Sequence, residues 1–81
     1  MYANASTPID LDVRALAPRE RHERIFSDLD RLAAGQSLRL INDHDPKPLY
    51  YQLMAEHPDE FDWAPDEHGP EVWSVVITRR A

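Results

Sequence analysis

Cysteine is absent from this 81-residue chain, and glycine occurs only twice. Without cysteine the chain cannot form disulfides, thiolate nucleophiles, thiolate-ligated iron–sulfur clusters or cysteine-based zinc sites. With only Gly35 and Gly69, it lacks a glycine-rich phosphate loop, and no serine has the flanking glycines of a nucleophile elbow. We therefore expect no enzymatic activity.

Long apolar runs and an excess of basic residues are also absent. No stretch approaches the roughly 18 consecutive apolar residues that a membrane span requires, and the N-terminus lacks the pattern of a signal peptide. Fifteen acidic residues against nine basic ones give a formal net charge of -6, which opposes binding to nucleic-acid phosphates. We expect a cytoplasmic protein that binds neither nucleic acid nor membranes.

Periodicity and turn residues predict a single domain over residues 9–80, preceded by a flexible leader over residues 1–8. Strands are predicted from apolar–polar alternation, and helices from apolar spacings of three and four that follow a proline. The predicted elements are a strand over 9–13, a helix over 18–34, a strand over 37–42, a second helix capped by Asp45 and closed by Pro58, and a hairpin of residues 60–63 and 73–78 around a turn at Pro65 to Pro70.

The connections between these elements predict the architecture. A strand–helix–strand crossover makes the first two strands parallel, and the second helix repeats the arrangement. We expect an α+β, two-layer α/β sandwich of β-α-β-α-β-β order, with a four-stranded mixed sheet and two helices on one face. The ends of the first two strands, the starts of both helices and the hairpin tip would then share one edge, where a site is expected.

Polar side chains concentrate at this predicted edge. The candidate ligand- or partner-binding residues are His22, Asn42, Asp43, His44, Asp45, Arg19 and Arg21. The arginines surround the start of the first helix, where backbone amides already favour anions. The alternative is that they form surface pairs with nearby carboxylates such as Asp43, Asp45 or Glu20.

Three of the four histidines, His22, His44 and His68, also map to this edge. Imidazole nitrogen combined with carboxylate oxygen suits zinc or iron, so a metal or haem site that uses these three histidines is an alternative function. No close-spaced motif such as HExxH supports it. In the other interpretation Asp43 and Asp45 cap the second helix, His22 is a partly buried ring and His68 is solvated.

Aromatic and acidic residues cluster in the second half of the chain. Tyr50, Tyr51, Trp63 and Trp73 could line a pocket, but their strand and helix spacing is more typical of core, and we expect only Tyr51 to be exposed. Residues 56–71 contain seven acids and no Lys or Arg. Such a run is a solvated face or a docking surface for a basic partner.

Leu11-Asp12-Val13-Arg14-Ala15-Leu16-Ala17-Pro18, a strand that leads into a proline-started helix, resembles the opening of the TusA/SirA-like sulfur-carrier family. That family places a persulfide-carrying cysteine immediately before the proline, at a helix N-terminus. Ala17 occupies that position here, so we expect no persulfide on this chain.

Four further strings, between about Ile9 and Arg80, resemble the uncharacterised family called domain of unknown function 2249, which is similar to TusA in fold. They are Glu20-Arg21-His22-Glu23, Asn42-Asp43-His44-Asp45-Pro46-x-Pro48-Leu49, Glu56-His57-Pro58 and Gly69-Pro70-x-x-Trp73. Members are often joined to, or encoded near, hemerythrin-like iron-binding domains and nitrogen-oxide metabolism. The resemblance implies a TusA-like accessory or binding module that docks a protein partner or small ligand in a redox or metal-handling setting, with hemerythrin-like or redox proteins as partners.

Overall fold

The computed structural model describes residues 7–81, so most of the predicted leader over residues 1–8 lies outside the described residues. Its elements are β1 (Ile9–Asp12), α1 (Pro18–Asp30), β2 (Ser37–Asn42), α2 (Lys47–Glu56), β3 (Phe61–His68) and β4 (Trp73–Arg79). The predicted β-α-β-α-β-β order is confirmed. Neither α1 nor α2 is long and apolar enough to cross a membrane.

The four strands form one mixed sheet in the order β1-β2-β4-β3. β1 lies parallel to β2, as the crossover through α1 predicts, and Leu11 is opposite Leu40. β4 is antiparallel to both of its neighbours, β2 and β3. The last strand of the domain is therefore an inner strand, and β1 and β3 are the two edges.

One face of the sheet carries the hydrophobic core. Leu40 pairs with Leu11 on one side and with Val75 on the other, and both helices pack over this face. The buried apolar residues are Leu11, Val13, Ile25, Leu29, Leu32, Leu38, Leu40, Leu53, Phe61, Val75 and Ile77. Fully burying one such side chain contributes roughly 1.5–3 kcal/mol. The predicted two-layer sandwich with both helices on one face is confirmed.

Helix α1 starts at Pro18 as predicted but ends at Asp30 rather than at Ala34. The backbone N–H groups of Arg31 and Leu32 each bond the carbonyl three residues earlier, which tightens the chain into a turn. This turn places Leu32 in the core. Gly35, with φ of 85°, then donates its N–H to the carbonyl of Arg79 at 2.8 Å and leads into β2.

The predicted turn over Pro65 to Pro70 is wrong, because β3 continues to His68. β3 is an edge strand, where proline is tolerated since part of the backbone faces solvent rather than a neighbouring strand. A register shift between Pro65 and Glu67 marks a bulge that accommodates Asp66. His68 consequently pairs with Trp73 at the end of the sheet instead of lying on the turn.

Ile9 is 51% exposed, although it is in step with the buried Leu11 and Val13 in the alternating pattern. Ile9 is the first residue of the short edge strand β1, so only one neighbouring strand, β2, flanks it. Burial along β1 begins with Leu11, which is 5% exposed, and continues beyond the strand to Val13. Because β1 is an edge strand, not every apolar residue of its alternating pattern is buried.

The indole of Trp73 lies directly on Gly69. A Cβ atom at Gly69 would be 2.5 Å from Cε2 of Trp73, and the φ of 80° favours glycine. The indole N–H donates to the carbonyl of Pro70 at 3.3 Å. The Gly69-Pro70-x-x-Trp73 string is thus a packing unit that holds Trp73 opposite Asn42, at the end of β2.

Replacing each glycine by alanine separates backbone strain from this packing. Gly35 has a similar positive φ, but a Cβ atom added to it would meet no other atom within 4 Å. Gly35→Ala should therefore lower the free energy of unfolding by about 1–2 kcal/mol and leave both tryptophans undisturbed. Gly69→Ala should lower the free energy of unfolding by more than Gly35→Ala does, because the Trp73 indole must move. The same movement should change the near-ultraviolet circular dichroism. Urea denaturation and spectra of both variants test this; a native spectrum for Gly69→Ala would contradict it.

Candidate functional site

The guanidinium of Arg21 joins α1 to the ends of both parallel strands. Arg21 is only 9% exposed. Its Nε–H donates to the carbonyl of Leu16 at 3.0 Å, and Nη2–H donates to the carbonyl of Arg14 at 3.2 Å. Nη1–H donates to the side-chain oxygen of Asn42 and to Asp43, both at 2.9 Å. The alternative interpretation, in which an arginine pairs with Asp43, is confirmed for Arg21, but its guanidinium is buried and the pair is not a surface pair.

Asn42 and Asp43 complete this network from the end of β2. Asn42 is 5% exposed, and its side-chain oxygen also accepts the backbone N–H of Asp43 at 2.8 Å. The Arg21 guanidinium, with a smaller contribution from His44, holds the pKa of the Asp43 carboxyl well below its usual range. Because their polar atoms are engaged inside the domain, Arg21 and Asn42 fix the position of the loop that follows β2.

The remaining residues of the predicted edge point outward. His22 and His44 line one shallow groove of about 210 Å³, so they lie at the same end of the domain, as the parallel topology predicts. The His22 ring packs against Phe26 with centroids 4.7 Å apart. His44 is 62% exposed at its side chain, and its Nδ1 lies 2.9 Å from Asp43. Arg19 is exposed on the first turn of α1.

Asp45 is not the N-cap of α2, because the helix begins at Lys47 and Pro46 is its N-cap. The Asp45 carboxylate instead accepts the N–H of Lys47 at 3.1 Å, which is the geometry of an Asx turn. It still satisfies one of the free N–H groups at the start of the helix. Asp45 and Pro46 border both the histidine groove and a larger cleft on their other side.

The three-histidine metal site is not supported by this arrangement. Across residues 7–81, no group of three or more His, Asp or Glu side chains lies close enough together to hold a metal ion. His68 lines the larger cleft, whereas His22 and His44 line the groove. Because the Asp45–Pro46 segment borders both, it separates His68 from the other two rings.

The larger cleft has a volume of about 620 Å³ and lies between α2 and the β3–β4 hairpin. Tyr50, Tyr51 and Met54 line it from the helix, and Trp63 and Trp73 line it from the sheet. The Tyr50 ring makes edge-on contacts with Trp63 and Tyr51, with centroids 5.1 and 5.4 Å apart. We call this feature the aromatic cleft.

The cleft exists because α2 leaves the inner face of the edge strand β3 incompletely covered. Trp63 packs against the core but is only partly buried, and Trp73 is partly buried as well. The core position predicted for these two tryptophans is therefore confirmed only in part, because both side chains are partly buried and partly exposed. The predicted exposure of Tyr51 is confirmed at 63%.

Sequence reasoning placed the candidate site at the loop and set aside the alternative that the aromatic residues line a pocket. One signal could have found it: Pro65 follows Phe61 and Trp63 at a spacing of two. A proline that continues an every-second-residue apolar pattern indicates that the segment is an edge strand, and not that the strand has ended. Aromatic residues on an edge strand are less fully covered than those on an inner strand.

Acid stability tests the Arg21–Asp43 pair. The pKa of Asp43 is lower in the folded chain than in the unfolded one, so its stabilising effect is present above about pH 4 and is lost as the pH falls below that value. Asp12, whose pKa Arg14 lowers to about 2, acts in the same direction. We expect Asp43→Asn to lower the Tm by about 5 °C or more at pH 7 and to flatten its decline below pH 4, measured by thermal denaturation. Parallel pH curves for wild type and variant would contradict this.

Substitutions at two neighbouring loop residues distinguish a residue that stabilises the fold from one that is only exposed on the surface. His44→Ala should change the free energy of unfolding by no more than about 0.5 kcal/mol, because its side chain is 62% exposed. Asp45→Ala should lower the free energy of unfolding by about 0.5–2 kcal/mol, because the N–H of Lys47 loses its acceptor. Chemical denaturation measures both. A larger loss for His44→Ala would make His44 a structural residue.

A family model described as "Uncharacterized conserved protein (DUF2249)" matches residues 10–79. The match includes both helices, the whole Arg21–Asn42–Asp43 network and the aromatic cleft up to Arg79. No curated protein and no solved structure matches the chain.

Proposed function

We propose that this chain, which belongs to the DUF2249 family of uncharacterized conserved proteins, is a binding module that docks a protein partner. The proposed docking surface is the aromatic cleft together with the adjoining loop of residues 43–46. The observation that carries the proposal is the cleft itself, whose volume of about 620 Å³ is in the range of ligand-binding sites in proteins.

The composition of the cleft supports protein binding. Tyrosine, tryptophan and methionine are enriched in protein interfaces, and Tyr50, Tyr51, Met54, Trp63 and Trp73 all line this one surface. Such rings offer a large contact area and lose little conformational entropy when a partner binds. Tyr51, at 63% exposure, presents its ring to solvent.

The rigid support beneath the loop is a second argument. Arg21 and Asn42 hold the end of β2, so the segment that contains His44 and Asp45 starts from a fixed position. Because Asp45 borders both the cleft and the histidine groove, one partner can contact both surfaces. A surface that is ordered before binding loses less entropy on association. On the basis of the family resemblance, we propose that the partner is a redox or metal-handling protein, such as a hemerythrin-like protein.

Site-specific photo-crosslinking in the native host tests the docking surface. A photoreactive phenylalanine replaces Tyr51 in the cleft, His44 on the loop or Glu23 on α1, all of which are exposed positions. We expect one protein to crosslink from positions 51 and 44 and not from position 23. The purified partner should then bind the wild-type chain at least about tenfold more tightly than Tyr51→Ala, measured by calorimetry.

Glu23 is the matched control because it is exposed on α1, which contributes no residue to the aromatic cleft. Equal crosslinking from all three positions would indicate non-specific contact and would contradict the proposal. The same holds if Tyr51→Ala binds the purified partner as tightly as the wild type does. Circular dichroism of Tyr51→Ala confirms beforehand that the variant is folded.

A further inference from the structure

The rings of the aromatic cleft favour a cation. The face of an aromatic ring carries partial negative charge, and tyrosine and tryptophan faces attract ammonium and guanidinium groups within about 6 Å. The Tyr50 ring is inclined by 66° to the Tyr51 ring and by 65° to the Trp63 ring, so the rings that line the cleft present faces in different directions. Several rings around one space are the arrangement that recognises a positively charged side chain.

The charges beside the rings complement such a group. Asp45 lines the cleft, and the surrounding segment of residues 56–71 contains seven acids and no Lys or Arg. Arg80 also lines the cleft, but Asp62 and Asp59 hold it at 2.7 and 3.5 Å and offset its charge. Lys47 is the opposing positive charge at the cleft.

The edge of β3 is poorly suited to the alternative of strand addition. An added strand pairs through regularly spaced backbone groups. Pro65 has no N–H to donate, and the bulge at Asp66 breaks the register directly after it. Recognition along this edge therefore depends on side chains in the cleft more than on backbone pairing.

We infer that the aromatic cleft binds an arginine or lysine side chain of the protein partner, between the rings of Tyr50, Tyr51, Trp63 and Trp73 and beside Asp45. This inference rests on the proposed function and specifies its chemistry. The partner segment is expected to be basic, in keeping with the net charge of -6 on this chain.

The test is an NMR titration of the ¹⁵N-labelled full chain with two peptides, acetyl-Gly-Arg-Gly-amide and the same peptide with citrulline, the neutral isostere of arginine. Trp63 and Trp73 are the only tryptophans, so their two indole N–H signals report on the cleft directly. Both signals should shift with the arginine peptide. The citrulline peptide should bind about three- to tenfold more weakly.

Three variants assign the effect. Tyr51→Leu keeps an apolar side chain but removes a ring, and Asp45→Asn removes a carboxylate charge while keeping a side-chain oxygen for the Lys47 N–H. Each should weaken binding of the arginine peptide about threefold or more. Glu23→Gln, which makes the same charge change on α1, should leave binding unchanged. A further variant, Lys47→Gln, should tighten binding because it removes the opposing charge.

The outcomes separate this inference from the proposed function. Equal binding of both peptides at the indole signals would overturn the preference for a cation and leave the cleft as a docking surface. The absence of any indole shift would overturn the inference, while the crosslinking experiment decides independently whether a partner docks there. Indole shifts that appear on concentrating the protein alone would identify a second copy of this chain as the occupant and would also overturn it.

Discussion

A single buried guanidinium holds one end of this domain together. Burial of an arginine requires acceptors for its N–H donors, since an unsatisfied buried charge is strongly destabilising. The acceptors for Arg21 come from the segment after β1 and from the end of β2, through two backbone carbonyls and the side chains of Asn42 and Asp43. The path of the chain at both strand ends is therefore constrained by one side chain of α1. The outward positions of His44 and Asp45 follow from this constraint.

The aromatic cleft has a different physical origin, which is the shape of the layer above the sheet. Two helices of 13 and 10 residues cover a sheet of four strands, and the edge strand β3 receives the least cover. Aromatic side chains suit this half-covered position, because one part of the ring packs on the core and the other remains at the surface. Phe61, Met54 and Trp63 therefore belong both to the core and its border and to the lining of the open cleft.

The fold could be predicted largely from local signals. Alternation indicates the strands, Pro18 indicates the start of α1, and the crossover rule places His22 and His44 at one end. The burial of Arg21 could not be predicted, since its acceptors include groups that are distant in sequence. The half-burial of Trp63 and Trp73 depends on the strand order, because a terminal hairpin can add to β2 through either of its strands. The one local signal is Pro65, which is predicted to be a turn residue although its spacing of two from Trp63 fits an edge strand.

The strand order β1-β2-β4-β3 also determines when the domain can assemble during synthesis. β4 is the last of its elements to leave the ribosome, yet it fills the inner place between β2 and β3. Until Trp73–Arg79 has emerged, β2 has one unpaired edge, and Leu38 and Leu40 lack Ile77 and Val75 as neighbours. Folding of the sheet is then a late event that joins segments far apart in the chain. A nascent chain that stalls before Trp73 exposes an open strand and apolar surface, the features that chaperones bind.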